Sequence, residues 1–123
     1  MSRTKFAIIG GDYRYKLLKE LLEKDGYIVS IYGNIYCEST NDIDSTISIS
    51  KAVIAPIPIT KDDKKVYMSE NFQLTVDDLL NSMSSNNVKV LIGGVISEKL
   101  KNIANIYNIK AIDLFSLEEV AIN

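Results

Sequence analysis

The sequence contains no histidine and a single cysteine, Cys37. The first absence removes the usual general base, the usual triad partner and the commonest metal ligand. The second excludes a disulfide within the chain and a cysteine zinc cluster, and it fits a cytoplasmic setting. Arginine is scarce too: the 14 basic residues are lysines apart from Arg3 and Arg14, against 16 acidic residues and a net charge of −2. Such a balance argues against a nucleic-acid surface, which needs clustered Lys and Arg. Long apolar runs are missing as well. The longest, Ala52 to Ile59, has eight residues and includes Pro56 and Pro58, so nothing in it spans a membrane. Met1-Ser2-Arg3-Thr4-Lys5 leads into only four apolar residues before Gly10-Gly11, which is no signal-peptide pattern.

What is present reads as one folded domain. The 123 residues are 46% apolar and 24% charged, enough for one hydrophobic core and too short for two. Lys5 to Ile9 is a short apolar run ending at a glycine pair, a strand and a turn. Asp12 to Asp25 follows with helical spacing, with Leu17, Leu18, Leu21 and Leu22 expected on one face and Glu20–Lys24 as a favourable pair. Tyr27 to Tyr32 is a second strand, closed by Gly33-Asn34. Glu38 to Ser50 is polar and yields no element.

Ala52 to Ala55 is a third strand, with both prolines required at its end or beyond. Residues 61–73 read as a polar surface excursion, a small hairpin. Thr75 with Asp78 forms a cap in front of the stripe Val76, Leu79, Leu80 and Met83. Val88 to Ile92, a helix from Ser97 to Tyr107, and Ile109 to Leu114 complete the pattern. Continuously apolar strands alternating with helices predict a five-stranded parallel sheet in a three-layer, flavodoxin-like or Rossmann-like arrangement, order 2-1-3-4-5.

Beyond the last strand, Ser116-Leu117-Glu118-Glu119 has the Ser-x-x-Glu form that opens a helix. Only four residues follow. The pattern suits either a short terminal turn or a longer polypeptide that has been cut.

In a doubly wound sheet, ligands bind outside the carboxyl ends of the strands, at the switch point. Here three ends meet: Gly10-Gly11-Asp12, the stretch from Pro56 through Pro58 to Thr60, and Gly93-Gly94. Glycines there admit a ligand close to the backbone, and Arg14 adds a forked cation suited to a carboxylate. The rim therefore suits a small anion. Asp12 is a helix cap by residue type, with acid or base chemistry as its other use. Tyr67, Ser69 and Glu70 sit where a flap could close. Cys37 has no basic neighbour in sequence and reads as a structural or surface thiol.

Nucleotide motifs are missing. Gly10-Gly11-Asp12-Tyr13-Arg14 is not G-x-G-x-x-G, strand 2 ends without an acidic residue for a ribose, and no P-loop occurs. Ala55-Pro56 stands where a receiver domain would carry its acceptor aspartate.

Several segments, in order, resemble the N-terminal domain of the dipicolinate synthase A-subunit. They are Ala7-Ile8-Ile9-Gly10-Gly11-Asp12-Tyr13-Arg14, Pro56-Ile57-Pro58-Ile59-Thr60, Tyr67-Met68-Ser69-Glu70, Ile92-Gly93-Gly94-Val95 and Glu118-Glu119-Val120-Ala121-Ile122. The resemblance implies residues 1–123 as a substrate-side domain followed in the family by a larger NADP-binding domain that this chain lacks. It implies an oxidoreductase that makes dipicolinate, pyridine-2,6-dicarboxylate, from a dihydrodipicolinate-pathway intermediate during sporulation. The setting would be the cytoplasm of the mother cell, with a flavoprotein-like B-subunit as partner, and the domain alone would be inactive. The substrate-binding candidates are then Gly10, Gly11, Asp12, Arg14, Pro58, Thr60, Ser69, Gly93 and Gly94, with no metal or cofactor in this chain. The other reading is a non-catalytic small-anion-binding or dimerisation module of the same fold, and homodimerisation stays open.

Overall fold

Apolar runs between polar turns become β1 (Lys5–Ile9), β2 (Ile28–Tyr32), β3 (Ala52–Ile54), β4 (Val90–Gly93) and β5 (Lys110–Asp113) in a computed structural model that describes residues 3–37, 42–68 and 72–114. All pairings are parallel, and the sheet order is β2-β1-β3-β4-β5, as expected. The helices are α1 (Tyr13–Lys24), α2 (Ile43–Ile47), α3 (Val76–Ser85) and α4 (Glu98–Ile106).

Each longer helix begins at a residue suited to that place. Asp12, Thr75 and Ser97 accept from the backbone N–H groups of Arg14, Asp78 and Leu100. Each bond satisfies a donor that the first helical turn leaves without a partner.

Two cores result. Ala7, Ile9, Val53 and Leu91 point to one face, where Leu79, Leu80 and Met83 of α3 and Leu100 and Ala104 of α4 cover them. On the other face, Ile8, Val29 and Ile31 pack with Tyr15, Leu18 and Leu22 of α1. Here the structure corrects the expected stripe: Leu17 and Leu21 are exposed, at 41% and 61%. Tyr15, Leu18 and Leu22 follow the i, i+3, i+7 line, while Leu17 and Leu21 lie a quarter-turn or more round the helix. The ion pairs on α1 also differ, joining Lys16 to Glu20 and Lys19 to Glu23 rather than Glu20 to Lys24.

The polar stretch read as featureless contains α2, capped by Asp42. Its signal was slight, one buried isoleucine, Ile47, and a buried Thr46 whose hydroxyl bonds back to the Asp42 carbonyl. Asp44 fastens α2 to α3 by accepting from the Ser82 hydroxyl.

The excursion after β3 is less of a solvated loop than its polarity suggested. Asp62 accepts from the N–H groups of Lys64 and Lys65 in a tight turn, and antiparallel bridges join Thr60 to Val66 and Lys65 to Thr75. Val66 and Leu74 are buried in the larger core. β3 ends at Ile54, although the Ala55 N–H extends the ladder by donating to the Ile92 carbonyl. Pro56 and a cis Ile57–Pro58 bond follow, outside the strand as their missing N–H groups require. Ser69, Glu70 and the Ser116–Glu119 helix signal lie outside the described residues. No helix among the described residues is long and apolar enough to cross a membrane.

Candidate functional site

A cleft of about 250 Å³ opens at the carboxyl ends of β1, β2 and β3. Gly11, Asp12, Arg14 and Tyr15 line it from the β1–α1 turn, and Ile35 and Tyr36 from the segment after β2. Pro56 and Ile57 come from beyond β3, and Tyr67 and Met68 from the excursion. The cleft sits at the switch point, where the chain leaves β1 toward β2 on one side and β3 lies on the other.

The β1–α1 turn is tightly determined. Gly11 has φ +85°, and a side chain there would run into the Tyr15 ring, so only glycine lets the backbone pass between strand and helix. The Tyr15 ring is buried, and its hydroxyl donates to the Ala55 carbonyl at 3.3 Å, tying α1 to the end of β3. Burial pushes the Tyr15 phenol up from its ordinary value, so it stays protonated at neutral pH.

Asp12 and Arg14 form one unit. Asp12 Oδ1 accepts from the Arg14 backbone N–H at 2.9 Å. Arg14 Nε lies 3.1 Å from both carboxylate oxygens, and Nη2 donates to Oδ2 at 2.8 Å. The hydrogen-bonded guanidinium holds the Asp12 carboxyl below its ordinary range, and Asp12 in turn raises Arg14. Asp12 thus occupies the Nε–Nη2 edge of the fork. The Nη1 side has no acceptor among the described residues, which leaves the end-on edge open to a carboxylate. Because the pair is neutral together, any anion meets a local donor rather than a broad positive field.

Asn34 is the residue that sequence reasoning missed. It is fully buried, its Nδ2 donates to the carbonyls of Gly10 and Asp12, and its Oδ1 accepts from the Tyr36 N–H. One side chain therefore locks the β1–α1 turn to the wall that carries Tyr36. The Gly33-Asn34 pair was visible as a strand terminator, but nothing in sequence says which carbonyls it reaches. Tyr36 also packs edge-to-face on Tyr13, with ring centroids 5.5 Å apart. Met68 packs over Gly10 and Gly33 from the excursion side.

The predicted rim is only partly assembled around this cleft. Gly11, Asp12 and Arg14 line it. Gly10 backs it, and its N–H is already given to the Tyr32 carbonyl at 2.6 Å. Pro58, Thr60, Gly93 and Gly94 are not in the lining. Thr60 is engaged with Asp62, and the close approach that Gly93 permits is made by the Ile59 side chain, which would meet a Cβ at 2.6 Å. Cys37 packs against the α1 core, and burial raises its thiol, so it is a poor nucleophile at neutral pH. No grouping of potential metal ligands occurs among the described residues.

Fold and cleft define the class: a doubly wound α/β domain with a small carboxyl-end site carrying one arginine. The family model for the N-terminal domain of the dipicolinate synthase A-subunit matches residues 5–115, and the chain belongs to that family. Two solved structures share the fold. One is the dipicolinate synthase A chain from Bacillus subtilis, at 21% identity and TM-score 0.74 over 94% of this chain and 41% of that one. The other is the dipicolinate synthase A-subunit from Bacillus halodurans, at 21% identity and TM-score 0.70, covering 91% and 40%. The chain therefore spans about two-fifths of the length of these structures. No curated protein matches it.

Proposed function

We propose that this domain binds the substrate of a dipicolinate synthase, as part of its A-subunit, and that the cleft at Arg14 is where one carboxylate of that substrate is held. The observation that carries this reading is an arginine with an open end-on edge at the mouth of a cleft walled by Tyr15, Tyr36, Ile57 and Tyr67. A planar ring acid needs such a pairing, apolar walls for the ring and a forked donor for the carboxylate. Asp12 aims the guanidinium, Asn34 holds the turn beneath it, and Tyr15 supplies a neutral wall. The ionised Asp12 restricts the approach of a second anion to the Nη1 side of Arg14.

The redox chemistry belongs elsewhere in this proposal. The β1–α1 turn has neither the glycine spacing nor the acidic residue after β2 that a dinucleotide needs, so the residues of this chain do not fit NADP. NADP would be held by a second domain of a longer polypeptide, and a flavoprotein-like B-subunit would be the partner. The whole protein would form dipicolinate from a dihydrodipicolinate-pathway intermediate in the cytoplasm of a sporulating cell. This domain would contribute binding and orientation, and no catalytic residue is assigned to it.

The test is titration of the ¹⁵N-labelled protein with pyridine-2,6-dicarboxylate and with pyridine, which lacks the carboxylates. Saturating shifts at Gly11, Arg14 and Tyr36 with the diacid, and none with pyridine, are expected. Equal responses to both compounds would remove the arginine from the account.

A further inference from the structure

The amino ends of the strands, at the opposite end of the sheet from the Arg14 cleft, hold a second concave site. A cavity of about 240 Å³ lies there, lined by Arg3, Thr4 and Lys5 at the start of β1 and by Ile49, Ser50 and Lys51 just before β3. The Lys51 N–H donates to the Lys5 carbonyl at 2.7 Å, which sets the two segments side by side. Three of the six lining residues are cations, in a chain whose net charge is −2. None of the three has a carboxylate partner among the described residues, whereas Arg14, Lys16, Lys19 and Lys101 each have one.

Two of the lining groups are buried and incompletely satisfied. Lys5 is 8% exposed, and its Nζ donates to the Ser48 carbonyl at 2.7 Å and to the Ser45 carbonyl at 3.3 Å, around the end of α2. Those carbonyls solvate the ammonium without neutralising it, and its third N–H has no acceptor among the described residues. Burial lowers the Lys5 ammonium from its ordinary value, as it does for a cation without a counter-charge. Ser50 is 9% exposed, and its hydroxyl has no hydrogen-bond partner among the described residues. Buried polar groups are nearly always paired, so this hydroxyl marks a missing acceptor.

We propose that this cavity binds a phosphate group, with Lys5 and Ser50 as its buried donors and Arg3 and Lys51 holding it from the solvent side. A dianion supplies the counter-charge that Lys5 lacks and an acceptor for the Ser50 hydroxyl. Lysine meets phosphate as a point charge with rotatable donors, and the arginine fork spans two of its oxygens. A single carboxylate would leave more of the three positive charges uncompensated. Inorganic phosphate and the phosphate of a small monoester share this chemistry. The inference rests on the amino end of the sheet and stands whether or not the Arg14 cleft binds a diacid.

Titration of the ¹⁵N-labelled chain with inorganic phosphate, and separately with glycerol 3-phosphate, tests it against sodium chloride at matched ionic strength. Expected are saturable shifts at Lys5, Ser50 and Lys51 with one shared midpoint, absent with chloride and retained in Arg14→Ala. The tighter of the two ligands distinguishes free phosphate from a monoester. Ser50→Ala, which removes the unpartnered hydroxyl, and Lys51→Ala on the surface should each raise that midpoint about threefold or more. Both should leave thermal unfolding in phosphate-free buffer unchanged. Non-saturating shifts, or equal shifts with chloride, would overturn the proposal. So would shifts that vanish in Arg14→Ala, or one midpoint shared by the wild type and both amino-end variants.

Discussion

Asp12 and Arg14 hold one another in a bidentate pair in which the same carboxylate also caps helix α1. A local folding device and a candidate binding group are therefore one arrangement. The cap fixes Asp12, and Asp12 fixes the guanidinium. The pair is half-exposed or more on both sides, with side chains 53% and 79% accessible, so its value lies in orientation more than in stability.

Arg14→Ala should for that reason leave folding nearly untouched, with no resolved change in the chemical denaturation midpoint, as for most exposed positions. It should abolish the carboxylate-dependent shifts in the titration described above. Arg14→Lys should restore charge without the fork and recover only part of the affinity.

Asp12 gives a pH signature with a definite sign. Its folded-state pKa is lowered, first by the Arg14 side chain, so ionised Asp12 contributes stability above its unfolded pKa. That contribution is lost as pH falls through the folded value. Asp12→Asn keeps a capping oxygen and removes the charge. The stability gap between wild type and Asp12→Asn should be present at pH 7 and shrink in strong acid, measured by urea unfolding at both pH values.

Asn34→Ala removes a buried side chain that joins two walls of the cleft. The Gly10 carbonyl and the Tyr36 N–H lose the bonds that Asn34 makes, while the Asp12 carbonyl keeps only the Tyr15 N–H, at a cost of about 1–3 kcal/mol. Unlike Arg14→Ala, it should both destabilise the fold and broaden the amide signals of Gly11 and Tyr36.

The leucines of the helices should separate sharply. Leu80→Ala empties a fully buried position under α3 and should cost about 2–5 kcal/mol, whereas Leu21→Ala on the outer side of α1 should cost about 0.5 kcal/mol or less. Equal costs would contradict the assignment of Tyr15, Leu18 and Leu22 as the inward line of α1.

Elements that declare themselves locally were legible in the chain. The apolar runs of β1, β3 and β4, the caps at Asp12 and Thr75, and the prolines after β3 each follow from the chemistry of a few adjacent residues. Strand order followed too, because alternation and crossover handedness leave few arrangements. What depends on partners distant in sequence was not legible. Asn34 reads as a turn residue until the carbonyls of Gly10 and Asp12 are beside it, 24 and 22 positions away. Gly93 reads like Gly11, yet the Ile59 side chain is what it accommodates. The α1 stripe was half legible for a related reason: four leucines fit one helical face on paper, and the inward line instead joins Leu18 and Leu22 to Tyr15, whose hydroxyl bonds to the Ala55 carbonyl 40 positions away. The family model matches residues 5–115, which takes in every motif that carried the resemblance except Glu118-Glu119-Val120-Ala121-Ile122.

The central claim is that Arg14 presents a carboxylate-binding edge to an aromatic-walled cleft. Its most direct measurement is the ¹⁵N titration with pyridine-2,6-dicarboxylate, run in parallel on the wild-type chain and on Arg14→Ala. Saturable shifts confined to Gly11, Arg14, Tyr36, Ile57 and Tyr67 in the wild type, and lost in the variant, are the expected result. Shifts that persist in Arg14→Ala, or that centre on Gly93 and Gly94, would contradict it.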